Sequence, residues 1–280
     1  MNINKLKIGF VFTNYNNSNV TRDAVKSIYQ NESLKDSPVI VVDNNSDSEN
    51  ADTLREIIKN FENVTIITNN ENLGYFKGLN VGIRYLRKFI EKIEIVVIGN
   101  NDLVFPSTFI NALQKNAHLF DIYPVISPDI ITLDGIHQNP HVIYKISKFR
   151  ELIFDIYFSN FYLANIINFV ARVTKSFTDR KDEQQHEFAR PIYQGYGACY
   201  ILTPVFFRNF DDLWAPTFMM GEEFFLSKQL ESKNFQTYYE PSIIVNHQHH
   251  GTLGKMPERK IWNFKRESHH LYRKYVSVWR

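Results

Sequence analysis

The sequence predicts an α/β fold in which helices flank a mixed, mainly parallel sheet. Short apolar runs alternate with helical patterns through the first hundred residues, and most of these runs end in Asn or Asp. With 280 residues, 44% of them hydrophobic, the chain is long enough to bury a large core. Because crossovers between parallel strands are right-handed, such alternation places strands of one orientation side by side in a doubly wound sheet.

Four strands and three helices are predicted in the order β-α-β-α-β-α-β. The apolar runs have the length of buried strands, whereas the segments between them repeat apolar residues at helical spacing. In the third helix, Leu79, Ile83 and Leu86 recur on one face. The predicted strands are residues 8–12, 39–42, 64–67 and 94–98, and the predicted helices are residues 21–30, 52–60 and 74–89.

The alternation stops after Ile131, where an apolar and aromatic stretch begins. Residues 156–171 carry no charge but are too few and too polar to span a membrane. Basic residues flank this stretch, so we interpret it as helices that lie at a bilayer interface or cover an acceptor groove; a buried helical hairpin is the alternative. Beyond it, a strand over 196–203, a helix over 222–232 and a strand over 243–245 are predicted.

Charge and cysteine content indicate the compartment and the partners. Residues 255–280 hold eight Lys or Arg against two Glu, a net charge of +6, which leaves −4 for residues 1–254. This basic, aromatic segment suits an anionic membrane surface or a nucleic acid, with a helix packed on the core as the alternative. Of the two partners we expect contact with a membrane and none with a nucleic acid.

A single cysteine, Cys199, excludes an intramolecular disulfide and fits a reducing compartment. With no signal-peptide pattern at the N-terminus, we expect a cytoplasmic protein, peripheral at the inner face of the plasma membrane.

Several common catalytic motifs are absent from the sequence. There is no G-x-x-x-x-G-K-[ST] phosphate loop, no G-x-G-x-x-G fingerprint, no G-x-S-x-G elbow and no H-E-x-x-H pair. These absences count against ATPases, dehydrogenases, serine hydrolases and zinc proteases.

Polar residues follow the predicted strands and should meet at one edge of the sheet. The carboxylate of Asp43 suits a pyrimidine N–H or ribose hydroxyls, and Gly74 lets backbone N–H groups approach a diphosphate at a helix N-terminus. Asp102 suits Mg²⁺ or Mn²⁺ as a hard oxygen ligand. The alternatives are that Asp43 forms a turn with Ser46 and that Asp102 caps a helix starting near Ser107. The polar segments are residues 13–16, 43–47, 72–80 and 100–102.

In their order and spacing these segments resemble the inverting glycosyltransferases of family 2, which have the GT-A fold. The resemblance covers about residues 6–254 and is closest to rhamnosyltransferase-like bacterial enzymes of surface-polysaccharide assembly. The matching motifs are T-Y-N as Thr13, Tyr15 and Asn16 with Asn14 inserted, V-D-N-x-S at 42–46, N-x-G-[FY]-x-x-G-x-N at 72–80, N-x-D at 100–102, G-A at 197–198 and an acidic pair at 222–223. The family's P-x-x-x-x-x-H-x-x-G corresponds to Pro241, His247 and Gly251, with one more residue between the histidine and the glycine in this chain.

The resemblance implies metal-dependent transfer of a sugar from a UDP- or dTDP-sugar to a glycan or lipid-linked acceptor, with inversion. Asp102 and His247 would hold Mg²⁺ or Mn²⁺, and Glu223 would be the catalytic base. Glu222 is the alternative base, since the pair is Glu-Glu here instead of Glu-Asp, and Phe225 stands where the family often has a further acid. The implied nucleotide-sugar-binding residues are Thr13, Tyr15, Asp43, Asn72, Gly74, Lys77, Asn80 and Asn101.

The predicted organisation is one GT-A domain over residues 1–254 followed by a basic C-terminal helix over 255–280. Its nucleotide-sugar half covers about 1–130, and its acceptor half, 131–254, carries a helical insertion at about 145–190. Two other functions stay open: a non-catalytic module that binds nucleotide sugars or membranes, and a sugar nucleotidyltransferase. The latter needs a Gly-rich, basic loop after the first strand, and residues 13–19 contain neither Gly nor Lys or Arg.

Overall fold

One nine-stranded sheet forms the centre of the computed structural model, which describes residues 7–90, 93–173, 182–248 and 257–276. Its first half is parallel, as the sequence predicts, and its strands lie in the order β3-β2-β1-β4. The strands are β1 (Ile8–Asn14), β2 (Val39–Asp43), β3 (Val64–Thr68) and β4 (Ile95–Asn100), connected by α1 (Ser18–Tyr29), α2 (Ser48–Ile58) and α3 (Tyr75–Phe89).

The second half of the sheet is mixed and continues in the order β8-β6-β9-β5, with β7 paired to β9. Strand β8 is antiparallel to both β4 and β6, whereas β9 is parallel to β6. The mixed α/β fold is therefore confirmed. These elements are β5 (Leu103–Val104), α4 (Phe109–Lys115), β6 (Val125–Thr132), α5 (Lys148–Ser159), α6 (Phe161–Val173), β7 (Arg190–Ile192), β8 (Cys199–Leu202), α7 (Pro204–Asn209), α8 (Glu222–Glu231), β9 (Thr237–His247) and α9 (Glu258–Tyr272).

Alternate residues of the central strands bury against opposite layers of helices. Phe10 and Phe12 of β1 belong to one core cluster, and Val11 between them belongs to the other. Side chains of successive strand residues point to opposite faces, so a strand covered on both sides reads as a continuous apolar run. This explains why the predicted strands stand out so clearly in the sequence.

Helix α2 begins four residues earlier than the apolar pattern predicts. Its N-cap is Asp47, whose side chain accepts a hydrogen bond from the Asn50 backbone N–H at 2.9 Å. An N-cap carboxylate satisfies a free N–H group of the first turn. Because the first turn is polar, the apolar periodicity starts only at its end. Prediction from that periodicity alone therefore misses the start of the helix.

The hairpin of α5 and α6 is not buried in this chain, so the buried-hairpin alternative is wrong. Among the described side chains of the two helices, only Glu151 and Ala164 are buried. One edge of the hairpin packs on α9, where Phe161 lies 5.5 Å from Trp262 between ring centroids. No helix among the described residues is both long and apolar enough to cross a membrane.

Candidate active site

Buried polar side chains connect the carboxyl ends of β1, β2 and β4. The parallel register places Asn14 beside Asp43 and Thr13 beside Asn100. Asn14 Nδ2 donates to Asp43 Oδ1 at 2.9 Å, and Asn101 Nδ2 donates to Asn14 Oδ1 at 3.1 Å. The strand ends predicted to meet at one edge therefore do so, and Asn14 joins them.

Above this network lies a cleft of about 690 Å³ between the strand ends and the start of α8. Residues from α9 complete one wall of it. The predicted site residues that line the cleft are Thr13, Tyr15, Asn72, Gly74, Asn101, Asp102, Glu222 and Glu223.

Asp43 lies below the cleft and is almost completely buried. Its carboxylate accepts hydrogen bonds from Asn14 and from Ser46 Oγ, the latter at 2.5 Å. These contacts are the ones expected if Asp43 forms a turn with Ser46. The neighbouring Asn44, by contrast, lines the cleft. Contact between Asp43 and a nucleoside stays a prediction.

Lys77 and Asn80 do not lie in the cleft. Both line a separate groove with Arg84 and Asp212. Asn80 Nδ2 donates to the Leu213 carbonyl at 2.8 Å, and Asn80 Oδ1 accepts from the Leu213 N–H at 2.9 Å. These two residues therefore lie outside the cleft, and their assignment to donor binding stays a prediction.

Asp102 lines the cleft and forms a close pair with His247, which is buried beside it and does not line the cleft itself. Antiparallel pairing of β5 with β9 places Leu103 opposite His247, and Gln248 N donates to the Asp102 carbonyl at 2.9 Å. His247 Nε2 lies 3.1 Å from Asp102 Oδ1, and both side chains are about 96% buried or more. The alternative that Asp102 caps the next helix is wrong, because α4 starts at Phe109, its N-cap is Thr108, and no side chain caps it.

The hydrogen bond on the far side of His247 indicates which ring nitrogen faces Asp102. His247 Nδ1 lies 2.7 Å from Gln138 Oε1, an oxygen that only accepts, so this nitrogen carries a proton. In the neutral ring, Nε2 then presents its lone pair to the Asp102 carboxylate. A proton on Nε2 or a metal ion would each supply the positive charge that stabilises these two atoms at 3.1 Å, and Asn100 Nδ2 lies 3.4 Å from the same nitrogen. The nitrogen and oxygen donors thus fit a divalent metal ion. Gly251, the last residue of the histidine motif, lies outside the described residues.

The acidic pair opens α8 directly after a left-handed turn. Met220 and Gly221 have φ values of 73° and 82°. Glu223 Oε1 accepts a hydrogen bond from the Gly197 N–H at 3.2 Å, and a Cβ on Gly197 would lie 2.6 Å from that oxygen. The missing side chain at Gly197 thus leaves room for the Glu223 carboxylate, which a Cβ there would displace from this position.

The two glutamates differ in how deeply they are buried. Burial, together with the charge of Glu223, raises the pKa of Glu222 to about 8. Glu222 therefore keeps its proton at neutral pH and is a poor proton acceptor there. Glu223 is more exposed and faces the cleft. This favours Glu223 over Glu222 as the base.

The raised pKa of Glu222 predicts a pH-dependent loss of stability that Glu222→Gln removes. The folded protein binds this proton more tightly than the unfolded chain, so the free energy of unfolding falls as pH rises from about 4.5 towards 8. We expect Glu222→Gln to exceed the wild type by at least about 1 kcal/mol at pH 8.5, or roughly 2–4 °C in Tm, with little difference at pH 5. Thermal unfolding at both pH values measures this. Glu56→Gln, at an exposed glutamate, is the control, and an equal effect of both substitutions would contradict the assignment.

The further cleft residues that escaped prediction include Tyr75, His141, Tyr196 and Lys265. Tyr75 OH donates to the Gly197 carbonyl at 2.8 Å, which joins the donor and acceptor halves. Tyr75 occupies the aromatic position of the 72–80 motif, so this residue could have been found from the sequence. Lys265 comes from α9, about 160 residues from Asp102, and no local pattern indicates it.

Comparison with known proteins relates this chain to sugar-transferring enzymes. Residues 10–162 match the family model described as glycosyl transferase family 2. No curated protein sequence matches the chain.

Two solved structures share the fold at low sequence identity. One is a mannosyltransferase, PcManGT from Pyrobaculum calidifontis, in complex with GDP-Man and Mn²⁺, with a TM-score of 0.55 and 16% identity over 94% of this chain. The other is GalNAc-T7 with UDP, GalNAc and Mn²⁺, with a TM-score of 0.54 and 13% identity over 87% of this chain. The match covers 61% of the first protein and 44% of the second. The similarity therefore concerns the fold.

Proposed function

Because this chain belongs to glycosyl transferase family 2, we propose that it transfers a sugar from a nucleotide diphosphate donor to a glycan or lipid-linked acceptor, with inversion. The donor is a UDP- or dTDP-sugar, and the product is part of a bacterial surface polysaccharide, as in rhamnosyltransferase-like enzymes. The observation that carries the proposal is that Asp102, which pairs with His247, lines the same cleft as Glu223.

The donor half of the cleft suits a nucleoside diphosphate. Thr13 and Tyr15 would flank the base, with Asn72 and Asn101 at the same edge. Gly74 has a φ of 83°, and a Cβ there would lie 1.9 Å from the Phe218 carbonyl oxygen. Only glycine fits this position at the N-terminus of α3. The Tyr75 N–H donates to the Phe218 carbonyl at 3.2 Å, so a diphosphate would be received by the later N–H groups of the first turn.

Asp102 and His247 would hold Mg²⁺ or Mn²⁺. When bound, the ion supplies positive charge that stabilises the diphosphate as it leaves. Gln138 accepts from His247 Nδ1–H and so keeps Nε2 directed at Asp102. This hydrogen bond to the ring fixes the tautomer, as is usual for metal-binding histidines.

Glu223 would take the proton of the acceptor hydroxyl as that oxygen attacks the anomeric carbon. The Gly197 N–H holds one carboxylate oxygen of Glu223 and thereby orients the group. Attack from the side opposite the diphosphate inverts the anomeric configuration. The protonated Glu222 beside it adds no second negative charge to the site at neutral pH.

A screen of UDP-, dTDP- and GDP-sugars with and without Mn²⁺ tests the function. A donor that binds the native protein raises its Tm, and we expect Mn²⁺-dependent stabilisation with one of these donors and slow donor hydrolysis without acceptor. Stabilisation by a donor that is never hydrolysed or transferred would support the binding module. Pyrophosphate release from a nucleoside triphosphate and a sugar phosphate would support a nucleotidyltransferase.

The exposed hairpin supports peripheral contact with an anionic membrane, which would give access to a lipid-linked acceptor. Cations of α9 lie next to it: Arg259 lies over the Phe161 ring and Arg266 over the Trp262 ring. Apolar side chains flanked by cations are typical of interfacial helices. The exposed side chains, 38–72% accessible, are Phe149, Leu152, Ile156, Tyr162, Leu163, Ile166, Phe169, Val170 and Val173.

Flotation with liposomes tests the membrane contact. We expect the wild type to float with anionic vesicles at low salt and less with zwitterionic ones. Burying a Phe or Ile side chain is worth about 1.5–3 kcal/mol, so Phe169→Glu should weaken binding by roughly tenfold or more. Phe89→Glu, at an equally exposed Phe of α3, is the control and should bind like the wild type. A wild-type protein that stays unbound at low salt would contradict the proposal.

A further inference from the structure

Three metal-ligating side chains converge at a place outside the cleft. They are Asp129 of β6, His137 of the loop after β6, and His186, which precedes β7; their ligand atoms lie within 4.8 Å of one another. His137 Nδ1 is 2.9 and 3.0 Å from the two Asp129 carboxylate oxygens. Asp129 is 4% exposed, and both histidines are half-buried. Within the part of the chain that the structure describes, this is the one group of three such side chains.

Backbone contacts fix all three positions. His137 pairs with Ile131 in an isolated antiparallel bridge, which returns the loop to its own strand. The fully buried Tyr239 of β9 donates its hydroxyl hydrogen to the His186 carbonyl at 2.7 Å. The ligands therefore come from a strand and from two loops that are tied to the sheet independently of any ion.

We propose that Asp129, His137 and His186 bind a divalent transition-metal ion of the Zn²⁺ class. Two imidazole nitrogens and one carboxylate oxygen are a ligand set that proteins offer to Zn²⁺, which completes its tetrahedron with a water. Mg²⁺ and Mn²⁺ prefer oxygen ligands, such as those a donor diphosphate adds at Asp102. The two sites thus differ in the metal they select. None of the three ligands lines the cleft.

The two imidazoles are stacked, with ring centroids 3.5 Å apart and planes 11° from parallel. Each nitrogen lone pair lies in the plane of its ring, so stacked rings do not direct both lone pairs at one point. Binding therefore requires the half-buried His186 ring to tilt out of the stack. Its backbone stays held by Tyr239 during this side-chain rotation.

The site supports the wall of the cleft through the two residues after His137. Gln138 accepts from His247 Nδ1, and Asn139 Oδ1 accepts from the Tyr196 N–H at 2.8 Å. An ion held by His137 would fix this segment to β6. Its role is therefore structural, and it is independent of whether the cleft transfers sugar.

Titration of the full chain with Co²⁺ and Zn²⁺, without a histidine tag and without donor, tests the proposal. Co²⁺ bound by nitrogen ligands in a tetrahedral site absorbs strongly in the visible region, and Zn²⁺ should displace it. Removing a residue that hydrogen-bonds to a metal ligand lowers metal affinity by about 10–100-fold. His186→Ala removes a ligand itself, so it should lower Co²⁺ and Zn²⁺ affinity by at least that much. Zn²⁺ should raise the Tm of the wild type and not that of the variant.

Two controls make the outcome specific. His118→Ala removes an exposed histidine elsewhere, and Asp102→Asn alters the cleft; both should keep the Co²⁺ spectrum of the wild type. His137→Ala should lose it, as His186→Ala does, with an unchanged far-ultraviolet circular dichroism spectrum. An unchanged spectrum in both histidine variants, or a spectrum lost only in Asp102→Asn, would overturn the proposal. Donor binding in the cleft is measured separately, so failure of one proposal leaves the other intact.

Discussion

Glu223→Gln is expected to reduce sugar transfer by about 100- to 10,000-fold while donor binding stays close to that of the wild type. Glutamine keeps the size of the side chain and its hydrogen bond from the Gly197 N–H, since its carbonyl oxygen also accepts. It does not take up the proton of the acceptor hydroxyl. The loss should therefore fall on the chemical step, whose rate constant is measured by single-turnover transfer at saturating donor and Mn²⁺.

Glu222→Gln is the matched control for this experiment. It changes the adjacent residue by the same atoms, but at neutral pH it replaces a group that is already uncharged. We expect a much smaller loss of transfer than in Glu223→Gln. If Glu222→Gln were the variant that abolished transfer, the roles of the two residues would be reversed.

Asp102→Ala is expected to abolish transfer and to remove the Mn²⁺ dependence of donor binding, with the fold intact. This motif offers one carboxylate, so cation affinity depends on Asp102, His247 and the donor phosphates. Calorimetric titration of the donor with and without Mn²⁺ measures the coupling between donor and metal. Asp102→Asn, which preserves the volume and removes only the charge, should show the same loss.

Asp121→Asn provides the control, because it removes an exposed carboxylate far from the strand ends. It should bind donor with the Mn²⁺ dependence of the wild type. Full transfer activity in Asp102→Ala would show that the cation is held elsewhere and that this site assignment fails.

The donor half was predictable because its information is local. Apolar runs in the sequence predict the buried strands. Because β1, β2 and β4 are parallel, the polar residues directly after them lie at the same edge of the sheet. Parallel order also explains why Asn14 and Asp43 are neighbours although 29 residues separate them. Motif order was therefore sufficient to place Asp102 and Gly74 at one cleft.

The direction of side chains within a motif was not predictable in the same way. Lys77 and Asn80 belong to a motif whose Asn72 and Gly74 do line the cleft, yet they face the groove beside Leu213. Gly78 instead packs towards Asn44, where a Cβ would lie 2.7 Å from Nδ2. Leu79, Ile83 and Leu86 mark the side of α3 that packs in the core, but the motif does not indicate which of its polar residues face the cleft.

The sequence by itself determined the order of strands and helices, the glycines at close approaches and the chemical type of each strand end. Only the tertiary structure decided that Glu222 is the buried member of the acidic pair and that β9 brings His247 to Asp102. It alone joined Asp129, His137 and His186. The physical reason is that burial and convergence depend on contacts between distant segments, whereas propensity and periodicity report only on neighbours along the chain.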